Sequence, residues 1–186
     1  GAVGVAAGPD VGTASETSDV LLMAGQTGEI VINGPNVTPG YEGNPKANED
    51  NFFMADGKRW FRTGDQGAFD DEGYLRLTGR LKEIINRGGE KISPLEVDAV
   101  LLGHPEIAQI VCFGVLHPKL GEDIAAAVVL TEGSQLNEKD IRAFAAEHIA
   151  NFKVPRSIMI LEEIPKGPTG KIQRIGMAEK LGMTHE

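Results

Sequence analysis

Apolar positions come in short runs broken by glycine, proline and charge, and the spacing of the runs changes along the chain. Gly28-Glu29-Ile30-Val31-Ile32-Asn33-Gly34-Pro35 is a brief apolar run closed by Gly-Pro, which predicts a strand. Asn44-Pro45 opens a short helix: asparagine can accept from a free backbone N–H, and proline at the first helical position gives up only a donor that would be unpaired anyway. From Trp60 to Thr78 the text is strand-like, with Asp70-Asp71-Glu72-Gly73 as a hairpin turn between Ala68-Phe69 and Tyr74-Leu75, so this part reads as a meander.

The stretch Gly79 to Gly89, dense in charge and glycine, is the expected boundary between two units. Ser93-Pro94-Leu95-Glu96 has the form of a capping box, and the helix it opens packs Val97, Val100 and Leu101 before Gly103 ends it. Strands are expected near Ile107–Val115 and Asp123–Leu130, then a helix near Glu138–Ile149 with Ile141, Phe144, Ala145 and Ile149 on one stripe, then a strand at Ile158–Leu161. There is no repeat, low-complexity tract or heptad run. The pattern predicts an α+β fold, β-rich first and mixed afterwards.

Composition narrows the function. The chain has 186 residues, 41% of them hydrophobic, enough to bury a core, and its 24 glycines without a collagen period fit frequent tight turns. A net charge of -9 argues against binding nucleic acid or an anionic membrane through broad positive potential. No apolar stretch reaches the length of a membrane span, and Gly1-Ala2-Val3-Gly4 lacks the basic flank of a signal peptide. Cys112 is the single cysteine and sits in Ile110-Val111-Cys112-Phe113, so burial in a protein of a reducing, cytoplasmic compartment is expected. His104, His117, His148 and His185 are scattered without ligand spacing, and no metal site is expected. The first residue is not methionine, which suggests a fragment of a longer chain.

Three short motifs could carry chemistry. Thr63-Gly64-Asp65 reads by itself as a turn whose aspartate caps neighbouring amides, and Gly79-Arg80-Leu81-Lys82 as an exposed basic turn. Pro165-Lys166-Gly167-Pro168-Thr169-Gly170-Lys171 lacks Walker A spacing, so it is no phosphate loop of that kind. What it does offer is a lysine on a glycine- and proline-rich arm, able to bring a compact positive charge to an anionic centre.

Taken in order, these motifs resemble the adenylate-forming superfamily of acyl-CoA synthetases, luciferases and peptide-synthetase adenylation domains. The likeness runs from about Gly1 to Arg174 and includes Gly40-Tyr41, Trp60-Phe61-Arg62-Thr63-Gly64-Asp65 and the block from Gly79 through Gly88-Gly89-Glu90-Lys91 to Glu96. The resemblance implies a β-rich remnant of a large domain at residues 1–78, a hinge at 79–82 and a mobile α+β lid at 83–186. It implies that Asp65 takes both ribose hydroxyls of ATP, with Arg80, Thr63, Leu77 and Lys91 also at the nucleotide. Lys82 falls where the family places its hinge. Lys171 matches the lysine that bridges the carboxylate substrate and the α-phosphate. Gly88 and Gly89 match the turn that lines the pantetheine tunnel, with Arg87, Lys91 and Lys153 near anionic parts of CoA. Relatives usually read Pro-Lys-Thr-x-Ser/Thr-Gly-Lys and Gly-Lys-Ile-x-Arg-Arg, whereas here Gly167-Pro168 intrude and Ile175 replaces the last arginine.

The family's Ser/Thr/Gly-rich phosphate loop and its Tyr-Gly-x-Thr-Glu motif are not in this sequence. The expectation is the C-terminal part of an AMP-forming acid–CoA ligase, most like oxalate–CoA ligases, whose partners are a small carboxylic acid, CoA, and ATP carrying Mg2+. This part alone is expected to adenylate little or nothing. Two rivals stand beside it: a noncatalytic nucleotide- or CoA-binding module, and an adenylation domain that loads a carrier protein.

Overall fold

The computed structural model describes residues 10–35 and 37–183. Gly1, where the family likeness begins, and His185 lie outside them. The chain divides into two compact units between Leu81 and Lys82.

The first unit is built on one five-stranded sheet. Strands β1 (Asp10–Ala14) and β2 (Gly28–Asn33) pair antiparallel, helix α1 (Pro45–Asn51) leads directly into β3 (Phe52–Ala55), and β4 (Lys58–Phe69) and β5 (Leu75–Arg80) close the meander. The long strand β4 pairs with β2 on one side, and with β3 and β5 at its two ends on the other. The side chain of Asn44 accepts from the Ala47 N–H and Pro45 opens α1, as the Asn-Pro pair predicts. Ala14, Val31, Phe53 and Trp60 form the core, and the Trp60 indole N–H donates to the Ala55 carbonyl at 3.2 Å.

The second unit holds a hairpin of β6 (Ile85–Arg87) and β7 (Glu90–Ile92), helix α2 (Pro94–Leu101), strands β8 (Ile107–His117) and β9 (Gly121–Leu130), helix α3 (Glu138–His148), strand β10 (Ser157–Ile160) and a final turn of helix α4 (Met177–Lys180). In its five-stranded sheet β9 pairs antiparallel with β8 and parallel with β10. Alternate residues of β8 and β9 face two different cores. Ile110, Cys112, Ile124, Ala126 and Val128 pack with Val97 and Leu101 of α2 and with Ile141 and Ala145 of α3. Val111, Phe113, Val115, Ala125 and Ala127 pack with Ile164 and Met177 of the C-terminal segment. Both faces of these strands are therefore covered, which is why their central stretches, residues 110–116 and 124–130, are apolar throughout rather than alternating.

Three details differ from expectation. The capping box expected at Ser93 does not form, since the Ser93 side chain makes no capping bond to α2. Glu96, which would complete the box, turns instead to the Lys153 ammonium, with its two oxygens at 2.9 and 3.0 Å. The reciprocal box is found at α3, where Asn137 and Asp140 exchange side-chain-to-backbone bonds. Val100, expected to pack with Val97 and Leu101, is only partly buried.

Candidate functional site

In the first unit Thr63-Gly64-Asp65 lies inside β4, as a bulge rather than a turn between strands. The register with β2 jumps from Val31↔Arg62 to Glu29↔Gln66, so three residues stand opposite Ile30 alone. Gly64 supplies the left-handed backbone this needs, at φ 76°. The bulge amides are capped by groups other than Asp65: Glu29 Oε1 accepts from the Gly64 N–H at 3.0 Å, and Thr63 Oγ1 accepts from the Asp65 N–H at 3.2 Å while donating to the Ile30 carbonyl at 2.7 Å. Asp65 is thus free of the capping task expected of it.

Beneath the bulge Arg62 reaches Glu29 at 2.7 Å and Asp19 at 3.0 Å and also donates to the carbonyls of Ser15 and Ser18. Burial works against its charge, but the bonds to Glu29 and Asp19 outweigh that and leave its pKa raised. This fixed pair holds the bulge in place. Both residues stand in the motifs of the first unit, 33 positions apart, and nothing local in the sequence points to their pairing. The Asp65 carboxylate pairs in register with Arg80 across β4 and β5, with Nε to Oδ1 at 3.7 Å, and Arg80 is 73% exposed. Such an open pair contributes well under ~1 kcal/mol, so both groups are available to a ligand. Leu77, also on β5, is 66% exposed.

In the second unit Lys82 is exposed in a single 3-10 turn, Leu81–Glu83. Gly88 and Gly89, at φ 58° and 92°, make the two-residue turn of the β6–β7 hairpin, a turn that needs left-handed backbone at both positions. The Gly88 N–H donates to the Leu120 carbonyl at 2.8 Å, and the Gly89 N–H to Asn86 Oδ1 at 3.1 Å. A Cβ on Gly89 would meet nothing within 4 Å, so this backbone is open to a ligand. Lys91 is exposed on β7. Arg87 is committed elsewhere: its Nε pairs with Asp123 at 2.8 Å, with the two side chains 15% and 7% exposed. Lys153 is held by Glu96.

The lysine loop is closed on itself. The Gly167 N–H donates to the Lys171 carbonyl at 2.7 Å and the Gly170 N–H to the Gly167 carbonyl at 3.0 Å. A Cβ on Gly167, one of the two intruding residues, would stand 2.7 Å from Gln173 Oε1, the end of an exposed, flexible side chain that can move aside. Lys171 itself is exposed and has no ion-pair partner among the described residues. Past it, Arg174 turns inward to meet Asp98 Oδ2 at 2.7 Å, the Cys112 carbonyl at 2.9 Å and Glu83 Oε2 at 3.4 Å. Asp98 Oδ1 accepts from the Cys112 N–H at 2.7 Å. Burial pushes the Asp98 carboxyl up, more than Arg174 and the Cys112 N–H pull it down, and burial together with Asp98 raises the Cys112 thiol well above its usual range. A cleft of about 170 Å³ beside Arg174 is lined by Lys82, Glu83, Glu122 and Ile175 among others.

Residues 96–171 match the family model of the AMP-binding enzyme C-terminal domain. The chain is 54% identical over 157 residues to a probable CoA ligase, CCL9, of Humulus lupulus, covering 84% of this chain and 29% of that protein. It is 49% identical over 174 residues to an oxalate–CoA ligase of Arabidopsis thaliana, covering 94% and 33%. Among solved structures, ATP-bound MatB from Rhodopseudomonas palustris superposes with a TM-score of 0.84 at 28% identity, over 94% of this chain and 34% of that one. The chain belongs to the family of adenylate-forming acyl- and acid–CoA ligases. It spans about a third of the length of the relatives it matches.

Proposed function

We propose that the protein of which this chain is part is an AMP-forming acid–CoA ligase acting in two steps. A carboxylate oxygen of the acid attacks the α-phosphorus of ATP, the bond to pyrophosphate breaks, and an acyl-adenylate forms. The CoA thiol, losing its proton, then attacks the acyl carbon and AMP leaves. Magnesium arrives on the ATP phosphates. A buried free thiol at Cys112 suits a reducing, cytoplasmic setting.

On this reading residues 1–78 finish the large domain, 79–82 are the hinge and 83–186 the lid. The Asp65 carboxylate offers two acceptors to two adjacent ribose hydroxyls, and the bulge amides, already capped by Glu29 and Thr63, leave it free to do so. Arg80 sits beside Asp65 with its guanidinium open to the nucleotide, and Thr63, Leu77 and Lys91 complete that contact set. Lys82 absorbs the change in backbone dihedrals as the lid exchanges working positions. Gly88 and Gly89 keep this turn free of side chains of its own, and at Gly89 pantetheine passes against open backbone. Arg87, tied to Asp123, shapes that hairpin, and Lys153 meets CoA phosphate only by giving up Glu96.

The observation that carries the reading is Lys171: an exposed ammonium without an ion-pair partner among the described residues, on a hydrogen-bonded turn, where the family motif has its lysine. Placed between the carboxylate and the α-phosphate, it stabilises charge that builds on both in the transition state. The test is Lys171→Ala in the complete polypeptide, with the two half-reactions measured separately. Formation of acyl-AMP should fall by a factor of about 100 or more, while transfer from preformed acyl-AMP to CoA persists. Equal loss in both would make the lysine structural. Thioester formed on a carrier protein and never on CoA would overturn the choice of acceptor.

A further inference from the structure

We propose that Arg174 is a positioning residue that fixes the Lys171 loop to the segment following Lys82, so that the backbone bearing the lysine moves together with the first residue beyond the hinge. The proposal rests on the reading of Lys171 given above. Arg174 is 14% exposed and draws together the 3-10 turn through Glu83, helix α2 through Asp98, and strand β8 through the Cys112 carbonyl. A planar guanidinium can serve three directions at once, which a lysine ammonium on a flexible stem does less well.

The position in sequence gives the contact its meaning. Glu83 is the residue after Lys82, and Arg174 follows Lys171 by three residues, so the Lys171 backbone cannot lie further than roughly 10 Å from that of Arg174. Upstream, the Gly167–Lys171 and Gly170–Gly167 bonds close the loop. The backbone of Lys171 is therefore restrained from both sides while its side chain stays exposed. A buried ion pair is weak evidence for stability as such, since a well-packed apolar replacement is often neutral or better. What a packed apolar group could not supply is a directional tie to Glu83, at the first residue beyond the hinge.

The test compares Arg174→Lys, Glu83→Gln and the double variant Arg174→Met with Asp98→Asn in the complete polypeptide. The double variant removes both charges of the Arg174–Asp98 pair and preserves an acceptor for the Cys112 N–H, and Glu83, which also loses its partner, is 22% exposed and reachable by water, so the fold stays testable if Arg174→Met alone fails to fold. Acyl-AMP formation should fall about a hundredfold in the double variant, less in Arg174→Lys and Glu83→Gln, through kcat with KM for acid and ATP nearly unchanged. Transfer from preformed acyl-AMP should be spared. In the 186-residue chain carrying the double substitution, amide exchange should quicken more at Gly167 and Gly170 than in α3, which reports only the general loss of stability. Parallel loss of both half-reactions, or unchanged exchange at those two amides, overturns the proposal. Lys171→Ala is run beside them. If it spares acyl-AMP formation, the reading of Lys171 fails, and the exchange measurement then judges the loop restraint by itself.

Discussion

Replacing Asp98 by alanine tests the interior of the second unit most directly. The carboxylate serves two groups at once, accepting from the Cys112 N–H and from Arg174 Nη1, each at 2.7 Å. Its loss leaves a guanidinium that is 14% exposed with only the longer contact to Glu83 and its bond to the Cys112 carbonyl, and it strips the partner from an amide on a fully buried residue. Breaking a buried pair from one side costs about 3–5 kcal/mol, and an orphaned buried donor about 1–3 kcal/mol. Both losses stem from the same carboxylate and overlap, so about 4 kcal/mol is expected for the whole. Asp98→Asn keeps an acceptor for the amide and should cost about 2 kcal/mol.

Urea unfolding of the chain separates the two units. Ellipticity at 222 nm follows chiefly α2 and α3 of the second unit, while Trp60 fluorescence follows the first. With a slope of about 2 kcal/mol per molar urea, the ellipticity midpoint of Asp98→Ala should drop by about 2 M and the Trp60 midpoint should stay in place. A drop under about 0.5 M, an equal shift at Trp60, or asparagine as costly as alanine would each refute the reasoning.

Asp98 also sets a pH dependence. Its folded-state pKa is raised, so the protonated group favours folding below about pH 4 and that contribution is lost as pH rises through the folded value. Urea midpoints from pH 4 upward should show wild-type stability falling relative to Asp98→Asn; a flat or rising difference would contradict the sign. Gly67→Ala should destabilise the first unit by about 1–3 kcal/mol, read from Trp60 fluorescence, because a Cβ there lies 2.6 Å from the Arg76 carbonyl oxygen, which belongs to rigid backbone. Thr13 is 2% exposed and its hydroxyl has no hydrogen-bond partner among the described residues, so Thr13→Val should raise the first unit's stability by about 1 kcal/mol in the same assay.

Legibility in the sequence followed how local each determinant is. Strands β8 and β9 could be read because both faces are covered and the apolar run is unbroken. Helix α1 could be read because its cap is made by adjacent residues. Strands β6 and β7 were hidden: each has three residues, and the charge-dense text around Gly88-Gly89 reads as a linker until the turn geometry is seen. Strand β1, with the polar text Asp-Val-Gly-Thr-Ala, exists through its pairing with β2.

The C-terminal segment reads as loop because Ile164 and Met177 are far apart and show no period, yet they cover a face of the sheet. At the candidate site, the order of the three motifs brought out Asp65, Arg80, Lys82 and Lys171. Arg174 was visible as a motif letter, but its partners Asp98 and Glu83 lie far upstream in text that shows only a helix face and a charged turn. The failed box at Ser93 has the same cause, since Lys153 competes for Glu96 from 57 residues away.

Arg174 reaches back across 62 residues to the Cys112 carbonyl, and it delivers the counter-charge for Asp98. During synthesis, then, the polypeptide that contains α2, β8 and α3 emerges with an uncompensated carboxylate in its interior, and it stays incomplete until residue 174 has been translated. A molecule clipped or terminated between Ile160 and that point would retain every strand of the sheet and still be marked by a loosened centre, open to proteases that a finished copy would resist.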